Sequence, residues 1–241
     1  MTHEISKLSI IIPAYNEEKT IAEVLNRISN LELYNNLSSE ILVVNDCSGD
    51  QTESVIQRFI QENNTGKVRY FKQELNQGKG AAIHRGIREA TGDLIIIQDA
   101  DLELIPEEIN FLLKESFEGP SRVVYGSRFL EDKHSKTNFV WHILGNGFLT
   151  RLSNLFSGLR LTDMMTCYKL VPREIIQSLN LKEKRFGFEP EITMKLAKIK
   201  GLTVSEVAIS YEARTKSEGK KISWKDGMKV IWCVIRYRFG N

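Results

Sequence analysis

Cysteine is scarce in this chain. Cys47, Cys167 and Cys233 stand far apart with no C-x-x-C spacing. That argues against a disulfide framework and against a zinc site, and it fits a reducing compartment. Long apolar runs are missing too, since none reaches the ~18 residues of a membrane span. The opening MTHEISKLSIII has no basic segment leading into an apolar core, so no secretory signal is read there. Charge of one sign is also lacking. The formal net charge is +2, so the chain as a whole is not drawn to nucleic acid. No internal repeat and no low-complexity linker interrupts it, which makes one domain with a C-terminal elaboration the economical reading. A cytoplasmic protein, or one peripheral to a membrane, is what these absences leave.

What the chain has is alternation. LSIII (8–12) reads as a buried strand. Asn16 reads as a helix N-cap, with Glu17 and Glu18 in the first turn and Ile21, Val24, Leu25 and Ile28 on one face of a helix over 17–29. ILVV (41–44) is a second strand, and Asp50 with Glu53 has capping-box spacing before a helix that turns Val55, Ile56, Phe59 and Ile60 inward. VRYF (68–71) is a third strand, 79–90 a helix closed by Gly92, and LIII (94–97) a fourth strand. Pro106, followed by Glu107 and Glu108, opens another helix, and VVY (123–125) is a fifth strand. After Ser127 the order loosens into a kinked helix over 141–159, a strand over 166–170, a helix over 190–200 and a strand over 202–207. The fold class is therefore α/β, a mostly parallel sheet flanked by helices.

Such sheets bind ligands at the carboxyl ends of their strands. Four polar clusters fall on that edge: 14–17, 45–50, 76–80 and 99–103. One alone would be loop chemistry; four together read as a site. The most acidic is QDADLE. Asp99 and Asp101 lie two residues apart, so in an extended segment both carboxylates face one point. They repel unless a cation sits between them, and hard oxygen ligands suit Mg2+ or Mn2+, which commonly share their sites with substrate phosphates. The plainer alternative is a solvated loop. Arg128, in YGSRF, reads either as a phosphate-binding fork or as a surface ion-pair partner.

The segments IIIPAYNEE, VVNDCSGD, LNQGKGAAIHRGI, QDADLE, VYGSRF, LTDMMTCYKL, RFGFEPEI and YEARTKSEGKKISWKDG follow one another here. In that order they resemble the inverting family 2 glycosyltransferases of GT-A fold, above all the dolichyl- or polyprenyl-phosphate hexose synthases of mannosyl and glucosyl type. The resemblance implies a Rossmann-like GT-A domain over 1–241, with a nucleotide-sugar half (7–130) and an acceptor half (131–241) ending in an amphipathic helix. It implies that Pro13, Tyr15 and Glu17 hold the nucleotide, with Val44 and Asp46 around base and ribose. Lys79 would meet the nucleotide sugar, and Gly78 and Gly80 would let backbone approach it. Asp99, Ala100 and Asp101 would contact the sugar diphosphate; Asp99 and Asp101, with Glu103 as a third ligand, would hold Mg2+ or Mn2+. Arg128 would bind the diphosphate or the incoming phosphate, and Arg214 and Lys220 would belong to an acceptor loop. Asp163 stands at the family position for a base, which completes a catalytic set of Asp101, Arg128 and Asp163. Two positions depart from the pattern: Asn45-Asp46-Cys47-Ser48 replaces a common DDGS, and Met165 replaces a usual acidic residue.

The implied reaction is one in-line displacement with inversion, from a GDP-mannose or UDP-glucose type of donor. A lipid monophosphate acceptor loses its second proton around pH ~6 and needs no strong base. Asp163 would then orient the site, whereas a hydroxyl acceptor would need it to take a proton. The tail bears on this choice. From Tyr211 onward eight Lys and Arg face three Asp and Glu. On a helix beginning near Trp224, residues Trp224, Met228, Ile231, Trp232 and Ile235 share one face, and Lys225, Lys229 and Arg236 another. That pattern suits either a membrane-interface helix or a core-packing terminal helix. The resemblance favours a membrane surface or a membrane-protein partner, on the cytoplasmic face. The rival readings are a transferase acting on a saccharide or protein hydroxyl, and a non-catalytic transferase-like binding module.

Overall fold

Runs of isoleucine, leucine and valine too short for helices build the middle of the molecule. The computed structural model describes residues 5–63, 66–130, 140–212 and 224–240. Strand β1 (Lys7–Ala14) pairs in parallel with β2 (Ser38–Asn45) and with β4 (Leu94–Ile97), and β2 pairs in parallel with β3 (Val68–Lys72). Strand β5 (Val123–Ser127) runs parallel to β7 (Val204–Ala208). Between these groups lies β6 (Lys169–Pro172), antiparallel to both β4 and β5. The order across the seven strands is β3-β2-β1-β4-β6-β5-β7.

The two-residue period of the strands sorts their side chains into two cores. Ile10, Ile12, Ile41, Val43 and Ile96 meet helices α1 (Ile21–Ser29), α2 (Thr52–Glu62) and α4 (Ile109–Glu118). Ile11, Leu42, Ile95 and Ile97 meet the opposite layer. That layer holds α3 (Lys79–Glu89), α5 (Val140–Ser157), α6 (Arg173–Ser178), α7 (Phe188–Leu196) and α8 (Trp224–Phe239). Strand order reverses direction between β1 and β4. The loops leaving these two strands, at 14–17 and 98–103, therefore flank the crevice where open α/β sheets take ligands.

Several local expectations shift. Asn16 does not cap a helix: its φ is 55°, its Oδ1 accepts from the Gly49 N–H at 2.9 Å, and α1 starts only at Ile21. Asparagine tolerates that left-handed backbone, and the loop after β2 takes up its side chain. The capping box at Asp50 and Glu53 does not form, because Asp50 accepts from the Thr52 and Glu18 N–H groups while Glu53 pairs with Lys72 at 2.5 Å. Gly92 closes no helix. Its N–H donates to Ser9 Oγ at 2.9 Å, and a Cβ there would lie 2.7 Å from the Ser9 nitrogen. Strand β6 begins at Lys169, later than the expected 166–170, because the Thr166 hydroxyl turns back to the Tyr168 N–H. Helix α7 begins at Phe188, before Pro190, since proline is tolerated in a first helical turn. Residues 140–157 form one helix, and the short α6 carries no capping signal that would have announced it.

Helix α8 answers to both readings of its pattern. Val230, Cys233, Val234 and Tyr237 pack into the core, while Met228, Trp232, Ile235 and Phe239 form an exposed stripe. Ile231 is half-buried beside the stripe, and the side chains of Trp224 and Lys225 lie outside the described residues.

Candidate active site

The loop leaving β2 is held from within. Asn45, fully buried, accepts from both the N–H and the hydroxyl of Ser48 and donates to the Tyr70 hydroxyl at 2.9 Å. Asp46, also buried, accepts from Gln73 Nε2 at 2.6 Å, from the Gln77 N–H at 2.9 Å and from the Gly78 N–H at 2.7 Å. These bonds pin the segment 73–78 that delivers Lys79. Pro13 and Val44 are buried as well, so both can only underlie a ligand, whereas Tyr15 projects from the edge. Glu17 accepts from the Thr20 hydroxyl at 3.0 Å, and the same hydroxyl reaches the carbonyl of Ala100 at 2.9 Å. The loops after β1 and β4 are thereby tied together.

Lys79 lies at the first turn of α3, and its Nζ is 2.5 Å from Asp99 Oδ1 and 2.9 Å from Cys167 Sγ. Burial would depress this ammonium, but Asp99, with Cys167 and Glu189, outweighs it and holds the pKa well above the ordinary value. Burial pushes the Cys167 thiol far up, and Asp99 adds to the effect, which keeps the thiol protonated and unreactive. The glycines beside Lys79 are also needed for packing. A Cβ on Gly80 would stand 2.3 Å from the Glu183 carbonyl oxygen, and one on Gly78 would stand 2.7 Å from that of Lys184. What approaches them is the backbone leading into α7, and the Ala81 N–H donates to the Lys184 carbonyl at 3.0 Å.

Asp101 Oδ1 accepts from the Glu103 N–H at 3.2 Å, which shapes the turn after β4. Glu103 accepts from the Tyr211 hydroxyl on Oε2 at 2.9 Å. Among the described residues no three His, Cys, Asp or Glu side chains are grouped to hold a metal ion. The donor set nonetheless fits a divalent cation shared with a ligand. Asp99 and Asp101 supply two hard carboxylates on one loop, and the Lys79 ammonium against Asp99 marks a spot that already holds positive charge.

At the end of β5, Arg128 grips Asp163. Its Nε lies 2.6 Å from Oδ2, its Nη2 2.9 Å from Oδ1, and its backbone N–H 3.2 Å from Oδ2. Asn146, from α5, donates to Asp163 Oδ1 at 2.9 Å. Burial would raise the Asp163 carboxyl, but the Arg128 charge and these hydrogen bonds hold it below the usual range. Behind it, Glu206 accepts from the N–H groups of Thr162 and Asp163 at 2.7 and 3.1 Å. Arg128 stacks 4.9 Å from the Tyr211 ring, so Glu103, Tyr211, Arg128 and Asp163 form one chain of contacts across the site. Met165 is half-buried and packs against the core that contains Ile11 and Ile95. Arg214 and Lys220 lie outside the described residues.

Sequence reasoning passed over Asn146, Lys169, Glu189 and Tyr211. Lys169 is fully buried; its Nζ donates to the carbonyls of Met164 and Thr166 and stands 4.7 Å from the Tyr125 ring. Burial lowers its pKa to about 8. A lysine inside the apolar run YKLV was the available signal. Asn146 and Tyr211 gave none, because either residue is ordinary in a helix or at a strand end.

Residues 9–179 match the family described as Glycosyl transferase family 2. A dolichyl-phosphate β-glucosyltransferase of Trichomonas vaginalis is 32% identical over 246 residues, covering 95% of this chain and 72% of that protein. A dolichol-phosphate mannosyltransferase of Pyrococcus furiosus is 30% identical over 216 residues, covering 89% of this chain and 59% of that protein. Glucosyl-3-phosphoglycerate synthase of Mycobacterium tuberculosis, solved with Mn2+, UDP and phosphoglyceric acid, aligns at TM-score 0.69 with 21% identity, over 98% of this chain and 80% of that one. A mannosyltransferase of Pyrobaculum calidifontis with GDP-Man and Mn2+ aligns at TM-score 0.65 with 17% identity, over 90% of this chain and 59% of that one. The two structural likenesses speak to the fold. Taken with the sequence match, which spans both acidic loops and the Arg128–Asp163 pair, they lead to one assignment: the chain belongs to glycosyltransferase family 2 and has the GT-A fold.

Proposed function

We propose that this glycosyltransferase moves a hexose from a nucleoside-diphosphate sugar to a polyprenyl or dolichyl phosphate at a membrane surface, with inversion at the anomeric carbon. The observation that carries the choice of acceptor is the state of Asp163. Both its oxygens are committed to Arg128 and Asn146, and its pKa is depressed, so it is a poor proton acceptor. With Asp163 so engaged, the site suits an acceptor that arrives ionised, as a phosphate monoester does around neutral pH. It does not suit a sugar or protein hydroxyl. The relatives named above as dolichyl-phosphate transferases support the same class of acceptor.

In this reading Tyr15 and Glu17 border the nucleotide, over a floor of Pro13 and Val44. Asp46 acts indirectly by fixing the loop that carries Lys79. Asp99, Ala100 and Asp101 lie along the diphosphate. Asp99 and Asp101 would hold Mg2+ or Mn2+, which when bound supplies positive charge to a departing diphosphate. Lys79 adds a fixed cation there. Arg128 is gripped by Asp163 through Nε and Nη2, which leaves Nη1 outside that pair to meet an oxyanion. The Tyr211 ring, whose hydroxyl bonds Glu103, stacks on that guanidinium.

The lipid would be met at the exposed faces of α5 and α8. Phe148 and Leu155 are exposed on α5, and Phe239 of α8 packs edge-on against Phe156 with ring centroids 6.2 Å apart. Lys229, Arg236 and Arg238 border the α8 stripe, and the Arg236 guanidinium lies 4.6 Å from the Trp232 ring. Apolar stripes with basic edges suit the headgroup region of anionic leaflets. No helix among the described residues is long and apolar enough to cross a membrane. The test is incubation with radiolabelled UDP-glucose or GDP-mannose, Mn2+ and polyprenyl phosphate, followed by solvent extraction. Label in the organic phase is the expected result. Label that stays on water-soluble acceptors would overturn the reading.

A further inference from the structure

Lys79 stands between Gly78 and Gly80, so its chain neighbours offer no side-chain packing to fix its backbone, yet its ammonium has to meet Asp99 at 2.5 Å. The segment between α6 and α7 does the fixing. The Ala81 N–H donates to the Lys184 carbonyl at 3.0 Å, and Lys184 Nζ donates to Gln77 Oε1 at 2.8 Å. The Glu183 carbonyl oxygen fills the space that a Gly80 side chain would need.

One residue of that segment ties it in turn to α8. Glu183 is 8% exposed and faces two ways. Its carbonyl meets the start of α3, while its carboxylate reaches α8, where Oε1 accepts from the Tyr237 hydroxyl at 3.0 Å and Oε2 pairs with Lys229 Nζ at 3.1 Å. Gly187 leaves the room this needs, since a Cβ there would lie 2.8 Å from Glu183 Oε2 and 3.0 Å from Cys233 Sγ. The Glu183 N–H donates to Glu191 Oε2 at 2.7 Å, which anchors the same residue to α7. A buried carboxylate is costly unless its oxygens are partnered, so the place of Glu183 depends on the partners that α8 supplies.

We propose that Glu183 is a positioning residue: by joining α8 to the start of α3 it holds Lys79 against Asp99, so the affinity of the donor site depends on how α8 is seated. This rests on the donor reading given above, in which Lys79 meets the diphosphate. The same helix carries Met228, Trp232 and Ile235 exposed on its outer face, so one element presents the surface stripe and braces the donor site.

The test is calorimetric titration of UDP and of GDP with Mn2+ present, carried out below the measured Tm of every variant. Two variants cut the tether from opposite sides. Glu183→Ala keeps the carbonyl that meets Gly80, and Tyr237→Phe combined with Lys229→Met keeps Glu183. Each should weaken binding of the nucleoside diphosphate by about tenfold or more, as expected for loss of one charge-assisted hydrogen bond, here that of Lys79. Lys79→Met should weaken it to a similar extent, and adding Glu183→Ala to Lys79→Met should change the affinity by no more than about twofold. A residue that only packs would lower Tm and leave these affinities alone. If one tether variant does not fold, the other carries the same comparison. The assignment is overturned if a folded tether variant binds like the wild type, or if Glu183→Ala weakens binding as much in the Lys79→Met background as in the wild type. If the wild type binds neither UDP nor GDP with Mn2+, the donor reading itself fails and takes this role with it.

Discussion

Changing Asp163 to asparagine should cost stability and turnover together, with both losses running through Arg128. Asp163 is fully buried and accepts four hydrogen bonds, at 2.6, 2.9, 3.2 and 2.9 Å, three from Arg128 and one from Asn146. Asparagine keeps the shape but turns an amide toward a guanidinium, so donor faces donor. Breaking a buried pair costs about 3–5 kcal/mol. The Arg128 side chain keeps 18% of its exposure, so water can take over part of the charge and the lower end, about 3 kcal/mol, applies. At about 2–4 °C per kcal/mol for a chain of this size, Tm should fall by about 6–12 °C. The sign with pH follows from the depressed carboxyl. Its contribution is complete above the ordinary carboxylate range and is lost only in acid below it, so the gap between variant and wild type should be flat from about pH 6 to 9. The assay is thermal denaturation with initial rates on Asp163→Asn, Arg128→Met and the double variant. If Asp163 acts only through Arg128, the double variant should turn over no more slowly than Arg128→Met alone. The reasoning is refuted if Asp163→Asn melts like the wild type, loses turnover beyond Arg128→Met, and removes an ionisation from the pH–rate profile. That would be the signature of a base.

Other consequences can be checked separately. At the opposite end of the sheet, burial alone would raise the Glu40 carboxyl, but hydrogen bonds from Ser9 and Thr91, with the charge of Lys7, pull its pKa to about 2. A lowered folded-state pKa stabilises above the unfolded value, and that stabilisation is lost as pH falls through the folded one. The Tm gap between wild type and Glu40→Gln should therefore be wide at neutral pH and close between pH 4.5 and about 2; a gap of constant width would contradict this. Gly80→Ala should destabilise, although alanine usually improves a helix by about 1 kcal/mol, because its Cβ would meet the Glu183 carbonyl oxygen at 2.3 Å. A raised Tm would show that the segment entering α7 yields freely. Trp232→Glu combined with Phe239→Glu should leave Tm nearly unchanged, since both side chains are exposed, and should abolish co-sedimentation with anionic vesicles. Undiminished sedimentation would remove the stripe from the account.

Much of this architecture was legible because the strands are short isoleucine-rich runs and their polar loops share one edge. The positions of Asp99, Asp101 and Arg128 at strand ends follow from the alternation, whereas Asp163, beyond the point where the alternation loosens, is singled out by the family resemblance alone. What stayed hidden depends on contacts distant in sequence. Nothing near Asp46 announces that its carboxylate is taken by Gln77 and Gly78, some thirty residues on. Gly78 and Gly80 also make room for the Glu183–Arg185 backbone, more than a hundred residues on. Glu103 has the spacing of a third metal ligand, and its bond from Tyr211, more than a hundred residues away, is nothing that spacing announces. Asn16 precedes an acidic pair like an N-cap, but it is captured by Ser48 and Gly49 from the neighbouring loop. In each case a tertiary contact adds to or overrides a local pattern, which periodicity and capping rules cannot register.

The account stands on a divalent cation held by Asp99 and Asp101 together with a nucleoside diphosphate. Electron paramagnetic resonance of Mn2+ tests it most directly, by following the sharp signal of the free ion. With wild-type protein and UDP or GDP together, that signal should fall well beyond what the nucleotide alone removes, and in Asp101→Ala it should return to the nucleotide-only level. A free-ion signal that the wild-type protein leaves unchanged would contradict the account at its base.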